Sequence, residues 1–300
     1  MFDRRRISSY ILIWLFFCVH GCMDVMSDVK PNSSIVPSTF NLKLKTLLDQ
    51  PLTFQDDFEK GWNARDSRGS RAGQSPGAKP WRYSQMQSDI AGQTVRDPVN
   101  PANQVMQFKW QQNIEKKYDD NTMLKAHLYG EFGGSAYEEG VWSFKLYLPE
   151  KGAEPEPEST ILIQWHGTPD SCESARRPPL ALDHSNGKLT LTWLADTKSC
   201  TLPGSLGLRA QSIGLGSAPL NQWFNLVFHI RFDPRGQGFL RVWKDGESII
   251  NQKEMALGYQ DELGAYLGFG IYQFTGKSRF SERVVLFDDI AHRRIASDEK

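Results

Sequence analysis

Short runs with strand character recur along the chain from about residue 54 almost to its end. They stand at 141–148 (VWSFKLYL), 161–166 (ILIQWH), 189–193 (LTLTW), 223–232 (WFNLVFHIRF), 239–243 (FLRVW) and 284–290 (VVLFDDI). Alternation with a period of two sends every second side chain to one face, which is the signature of a strand with a buried side. Turn chemistry separates several of the runs: Ser185, Asn186 and Gly187; Asp233, Pro234, Arg235 and Gly236; Lys244, Asp245 and Gly246. No comparably long amphipathic helix competes with them beyond the first residues, and no repeat is present. Many short strands at this spacing predict an all-β fold, a jelly-roll sandwich of two antiparallel sheets formed by one domain over 51–300.

The first residues read differently. Arg4, Arg5 and Arg6 precede an apolar stretch, 7–19, that is short for a membrane span, so 1–22 is expected to be a signal peptide. It ends in Val19, His20, Gly21 and Cys22, which resembles a bacterial lipobox with Cys22 as the lipidated residue. His20 is atypical there, which keeps simple cleavage or an uncleaved anchor as alternatives. The expected location is the periplasm or the outer membrane as a lipoprotein, alternatively the medium, with membrane contact only through the N-terminal lipid. Pro31, Asn32, Ser33, Ser34, Pro37 and Ser38 give 23–50 the composition of a flexible tether. Residues 63–79 and 151–159 (KGAEPEPES) read as loops. Of four cysteines, Cys18 and Cys22 belong to the leader, leaving Cys172 and Cys200 as a pair that an oxidising compartment would bridge.

Charge removes one class of partner. Lys plus Arg and Asp plus Glu are 35 each, so no global field recruits nucleic acid. Nine tryptophans suit a sugar-binding β protein as well as a sandwich core.

Parity sorts the chemistry. In 161–166, Ile161, Ile163 and Trp165 share one face, and Leu162, Gln164 and His166 the other. In 266–272 (YLGFGIY), Leu267, Phe269 and Ile271 are the buried set, and Tyr266, Gly268, Gly270 and Tyr272 are expected to form an open floor. In 123–129, Lys125, His127 and Tyr129 stand together opposite Leu124, Ala126 and Leu128. Lys125, His127, Gln164, His166, Tyr266 and Tyr272 are thus expected to line one groove. Such a set serves abstraction of a proton next to a carboxylate: a base of Tyr or His type, an acid for the leaving oxygen, and amide, imidazole or cationic groups to neutralise the carboxylate. No metal or organic cofactor is required. A structural calcium is conceivable at Asp56, Asp57, Glu59, Asp288 and Asp289. A glycoside hydrolase would need paired carboxylates, and no E-x-D-x-E-like strand is present.

At Gln164, Trp165, His166 and Gly167, and again at 266–272, the sequence resembles the jelly-roll (concanavalin-like) polysaccharide lyases, which include alginate lyases, glucuronan lyases and the heparin lyase I type. Alginate lyases of this kind carry Q-[IV]-H and Y-F-K-A-G-[VI]-Y where this chain has Q-W-H and Y-L-G-F-G-I-Y. The resemblance implies β-elimination on a uronate-containing polysaccharide by a monomeric enzyme. Alginate, glucuronan or a glycosaminoglycan would be the partner. It assigns Gln164, His166 and Tyr272 to catalysis; Lys125, His127 and Tyr266, which share their face by parity, are expected to bind substrate. Gly268 stands where the family has Lys, and Lys125, Ala126, His127 and Leu128 stand where it often has R-[ST]-E-L. A glycan-binding module without turnover is the alternative.

Overall fold

The computed structural model describes residues 39–62, 81–130, 137, 139–173, 176–202 and 210–295. The leader with Cys22, the first part of the expected tether and the loop at 63–79 lie outside the described residues. In chain order the strands are β1 (Phe54–Asp56), β2 (Trp81–Met86), β3 (Gly92–Arg96), β4 (Gln104–Gln111), β5 (Lys125–Gly130), β6 (Glu139–Tyr147), β7 (Thr160–His166) and β8 (Leu180–Ser185). They continue as β9 (Lys188–Trp193), β10 (Ala195–Asp196), β11 (Gln211–Ser217), β12 (Trp223–Arg231), β13 (Asp233–Lys244), β14 (Glu247–Tyr259), β15 (Tyr266–Gln273) and β16 (Glu282–Ile295). Helix α1 spans Thr39–Leu48, and α2 is the single turn Asp120–Met123.

Two sheets result. One has nine strands in the order β10-β14-β13-β12-β6-β16-β4-β3, with β1 paired to β16; the other has seven, β11-β9-β8-β7-β15-β5-β2. Every pairing in the seven-stranded sheet is antiparallel. The core is aromatic, including Phe108, Phe144, Phe228, Phe269, Phe287 and Trp165. Trp165 of β7 meets Phe228 of β12 at 5.0 Å, and Phe269 of β15 meets Phe287 of β16 at 5.0 Å, both edge to face. That geometry satisfies the ring quadrupoles and ties the two sheets together. The jelly-roll sandwich expected from the strand spacing is the architecture observed.

The tether expectation fails at its C-terminal part. α1 occupies residues assigned to it, because Leu44, Leu47 and Leu48 recur at helical spacing and find an apolar seat. Leu44 is buried with Val141, Val227 and Trp243, and Leu47 and Leu48 pack beside it on the nine-stranded sheet. Polar neighbours gave the segment its tether-like composition.

Three irregularities in the seven-stranded sheet decide which side chains reach which face. On β7 the register against β8 shifts between Ile161 and Ile163, and Leu162 and Ile163 both enter the core cluster while Ile161 does not. The parity expected for Ile161 and Leu162 is therefore inverted, whereas Gln164 and His166 keep theirs. On β2 a shift between Trp81 and Tyr83 leaves Trp81 in the core. On β15 the shift lies between Phe269 and Tyr272, around Gly270. Bulges of this kind bend a strand and re-aim side chains. Gly270 sits at φ +127°, and a Cβ there would meet the Ala126 carbonyl oxygen at 2.2 Å and Phe108 at 2.9 Å. Gly270→Ala should lower stability by at least roughly 1–3 kcal/mol, read as a shifted denaturation midpoint with an unchanged slope.

Cys172 and Cys200 form the expected disulfide, with Cα atoms 6.1 Å apart and a sequence separation of 28. Closing that loop contributes roughly 3–4 kcal/mol on the chain-entropy account. The acids considered for calcium are separately engaged instead. Asp56 accepts from Trp81 Nε1 at 2.6 Å, Asp57 from the Glu59 amide, Asp288 from Asn103, and Asp289 pairs with Lys145. Glu59 accepts from the Gln104 amide.

Candidate active site

The face of the seven-stranded sheet turned away from the core collects the polar residues of four adjacent strands. β2 contributes Tyr83 and Gln85, β5 contributes Lys125, His127 and Tyr129, β15 contributes Tyr266 and Tyr272, and β7 contributes Gln164 and His166. Register fixes their order: Tyr266 lies opposite His166, Gly268 between Gln164 and Tyr129, and Tyr272 opposite Lys125. Although they point away from the core, Lys125, His127, Gln164 and Tyr266 are all buried, so this face is recessed.

His127 is fully buried and Gln164 nearly so. Gln164 Nε2 lies 3.5 Å from His127 Nδ1 and 3.5 Å from the Tyr129 hydroxyl. An amide nitrogen only donates, so His127 Nδ1 accepts and its proton resides on Nε2. That Nε2–H and Gln164 Oε1 have no protein partner. A buried donor and a buried acceptor left open each cost about 1–3 kcal/mol, which a ligand presenting an anion and a hydroxyl would recover.

Tyr129 organises the middle of the site. Its ring stacks on Tyr83 with centroids 4.4 Å apart, and its hydroxyl donates to Gln85 Oε1 at 3.0 Å. Lys125 Nζ donates to the same oxygen at 2.8 Å. A Cβ at position 268 would meet the Tyr129 ring at 2.7 Å. The floor expected to be open at the two glycines is therefore closed by Tyr129, which occupies the space a side chain at 268 would need.

The tyrosine that meets His166 is Tyr266, with ring centroids 5.5 Å apart. Tyr266 also receives a hydrogen bond from Tyr83 at 3.5 Å. Tyr272, six positions further along β15, contacts Lys125 and Phe274 instead. Strand register thus places Tyr266 beside the imidazole and Tyr272 opposite Lys125.

His166 is oriented from the loop that follows it. Its Nδ1 lies 2.8 Å from the Gly167 carbonyl, and since a carbonyl only accepts, Nδ1 carries the proton and Nε2 keeps its lone pair. Beyond it, the buried guanidinium of Arg176 pairs with Glu173 and Asp261 and lies 4.3 Å over the Tyr259 ring. A Cβ at Gly167 would meet Asp261 at 2.7 Å, which accounts for glycine there. Glu173 also accepts from the Thr201 amide, so the cluster and the disulfide brace one loop pair. Asp170, Glu173 and Asp261 gather within 4.8 Å, around a positive charge the chain itself supplies.

Electrostatics separate the groups by role. Burial lowers His166 below its ordinary value, helped by the nearby Lys125 and Arg176 cations. Burial, then Lys125 and His166, holds His127 well below its usual range. Burial raises Tyr266 and Tyr272, and raises Tyr83 and Tyr129 strongly. Burial brings Lys125 down to about 8, with Asp119 opposing. Near neutrality both imidazoles are uncharged, the tyrosines are phenols and the lysine is a cation.

Tyr83, Gln85, Glu173, Arg176 and Asp261 were not anticipated. The β2 bulge separates Trp81 from Tyr83, so WRYSQM has no readable parity, and the Arg176 cluster joins residues 85 positions apart in sequence.

A family model described as polysaccharide lyase matches residues 77–291. The fold is similar to an endo-β-1,4-glucuronan lyase from the fungus Trichoderma reesei, with TM-score 0.63 and 14% identity over 82% of this chain and 96% of that one. Alginate lyase AlyC3 (TM-score 0.43, 14% identity, 68% and 78% covered) and the PL-14 alginate lyase from Aplysia kurodai (0.47, 12%, 68% and 87%) are also similar. No curated protein matches the sequence significantly. With the family model spanning well over half of its length, the chain belongs to the polysaccharide lyase family and is a lyase.

Proposed function

We propose that the protein cleaves a uronate-containing polysaccharide by β-elimination, with His166 as base and Tyr266 as acid. The observation that carries this reading is the pair itself: a neutral imidazole whose Nδ1 is held by the Gly167 carbonyl beside a protonated phenol, next to a buried His127 Nε2–H and the Lys125 cation. His166 Nε2 takes the C5 proton, and the electron pair moves to form the C4–C5 double bond. The C4–O4 bond breaks, and Tyr266 protonates the departing oxygen. His127 and Lys125 stabilise the carboxylate as it gains enolate character, and Gln164 fixes the His127 tautomer while its Oε1 is left for a sugar hydroxyl. Proton return from the imidazolium to the phenolate resets the site.

The 5.5 Å between ring centroids leaves no room for a pyranose between His166 and Tyr266, so both address one face of the sugar. Elimination is then syn, which suits gluco- and manno-configured uronates, whose C5–H and O4 share a face. It disfavours gulo-, ido- and galacto-configured ones. Resemblance to a glucuronan lyase fold makes glucuronan the first polymer to test. The leader-like first residues and the disulfide fit export, with Cys22 as the lipidation site.

Incubation with glucuronan, polymannuronate, polyguluronate and sulfated glycosaminoglycans, followed by ultraviolet absorbance of the unsaturated uronate end, tests the reading. Product is expected from gluco- or manno-configured polymers and not from polyguluronate. Binding of a polymer with no unsaturated product from any would replace it with a binding module.

A further inference from the structure

Behind His166 lies a buried ion cluster that stability alone does not call for. The side chains of Glu173, Arg176 and Asp261 are 1%, 4% and 6% exposed. An apolar plug of the same volume is often as stable or more so, because taking such charges out of water is costly. Arg176 Nε and Asp261 Oδ1, both buried, find no hydrogen-bond partner among the described residues, which adds to that cost. The cluster is distinguished by what it presses on. Gly167 holds His166 Nδ1 through its carbonyl at 2.8 Å. It lies so close to the cluster that a Cβ there would meet Asp261 at 2.7 Å, Arg176 Nη2 at 3.0 Å and Tyr259 at 3.3 Å. The Arg176 backbone also hydrogen-bonds the imidazole. The partners of Arg176 are themselves anchored. Glu173, next to the disulfide, accepts from the Thr201 amide at 2.6 Å, and the Tyr259 hydroxyl donates to the Arg177 carbonyl at 3.0 Å.

We propose that Arg176 is a positioning residue for the general base: pinned by Glu173 and Asp261 against Gly167, it fixes the carbonyl that keeps His166 in the Nδ1–H tautomer, leaving Nε2 to take the C5 proton. It rests on the lyase reading for the role of His166 as base. The guanidinium is too deeply buried to reach a sugar, so it acts on the reaction only through the imidazole. Arginine is needed there, since a planar fork meets two carboxylates while lying over the Tyr259 ring, 4.3 Å from its centroid, and a lysine ammonium does not. The tautomer of an imidazole is set by the hydrogen bond its other nitrogen makes, and an imidazole in water favours Nε2–H. A loosened Gly167 carbonyl therefore puts the proton on the nitrogen that must accept one.

Steady-state kinetics on the polymer it cleaves and nitrogen-15 spectra of histidine-labelled protein test this, with His166→Ala identifying the His166 signals. Arg176→Lys keeps the charge and should lower kcat roughly 10- to 100-fold with KM held, while the His166 Nδ1–H population falls toward that of free imidazole. Arg176→Ala should lose more, and should recover part of its kcat when guanidinium is added well below denaturing concentrations, because the ion fits the vacated site. Where Arg176→Ala does not fold, Arg176→Lys decides, together with Asp261→Asn, which loosens the same clamp and should act in the same direction. An unchanged kcat in Arg176→Lys, or a lower kcat with the His166 tautomer unaltered, overturns the positioning role and leaves Arg176 a stabilising residue. If the wild type releases no unsaturated product, the tautomer alone decides: a shift in Arg176→Lys supports the role, and no shift overturns it.

Discussion

Tyr266→Phe should abolish most turnover, by about 10²- to 10⁴-fold in kcat, while leaving polymer binding and the denaturation midpoint nearly unchanged. The substitution keeps the ring that packs beside His166 and removes only the phenolic proton. Burial raises the Tyr266 pKa, so at neutral pH the group is a donor and not a base. Its loss forces O4 to leave unprotonated. The removed hydroxyl also receives the 3.5 Å contact from Tyr83, which is long enough that its loss costs the fold little. Tyr272→Phe is the comparison: that hydroxyl lies at the Lys125 and Phe274 end, and its removal should act on KM for polymer rather than on kcat. Release of unsaturated product at wild-type rate by Tyr266→Phe, with a collapse in Tyr272→Phe, would return the acid to Tyr272.

The two tyrosines show what could and could not be read from the chain. YLGFGIY alternates cleanly, and Leu267, Phe269 and Ile271 are in the core as parity requires. Parity places Tyr266 and Tyr272 on one face but carries no information on which neighbour each meets, because that is set by register between strands distant in sequence. The resemblance at Q-W-H and Y-L-G-F-G-I-Y picked out two adjacent strands of the recessed face, and register sets which tyrosine stands beside His166. Bulges hid more. A strand with one extra residue inverts parity beyond it, which is why Leu162 was placed with Gln164 and why Tyr83 was not seen at all. Gly268 read as a lost lysine and an open floor. The structure gives it a physical reason, since Tyr129 fills that space and its hydroxyl reaches the carboxamide that also holds Lys125. α1 was missed because the Pro-, Asn- and Ser-rich residues 31–38 set the reading of the whole segment, although Leu44, Leu47 and Leu48 just after them stand at helical spacing.

His166→Ala should cost about 10²- to 10⁴-fold in kcat/KM and, more tellingly, remove one limb of the pH profile. The wild-type profile is expected to be a bell. Protonation of Nε2 consumes the lone pair that accepts the C5 proton, so activity is present above the His166 pKa and lost as pH falls through it. Burial and the Lys125 and Arg176 cations lower that pKa, which puts the acid limb below the ordinary 6.5. Lys125 works in the opposite sense: its positive charge is present below its pKa of about 8 and lost as pH rises through it, giving the alkaline limb. In His166→Ala the residual rate should show the alkaline limb alone. Lys125→Met, similar in length and uncharged, should lower the rate at neutral pH and flatten the alkaline side while keeping the acid limb. An acid limb that persists in His166→Ala would assign the base elsewhere. His127 is a poor substitute, because Lys125 and its own burial hold it well below the usual range and its Nδ1 is already committed to Gln164.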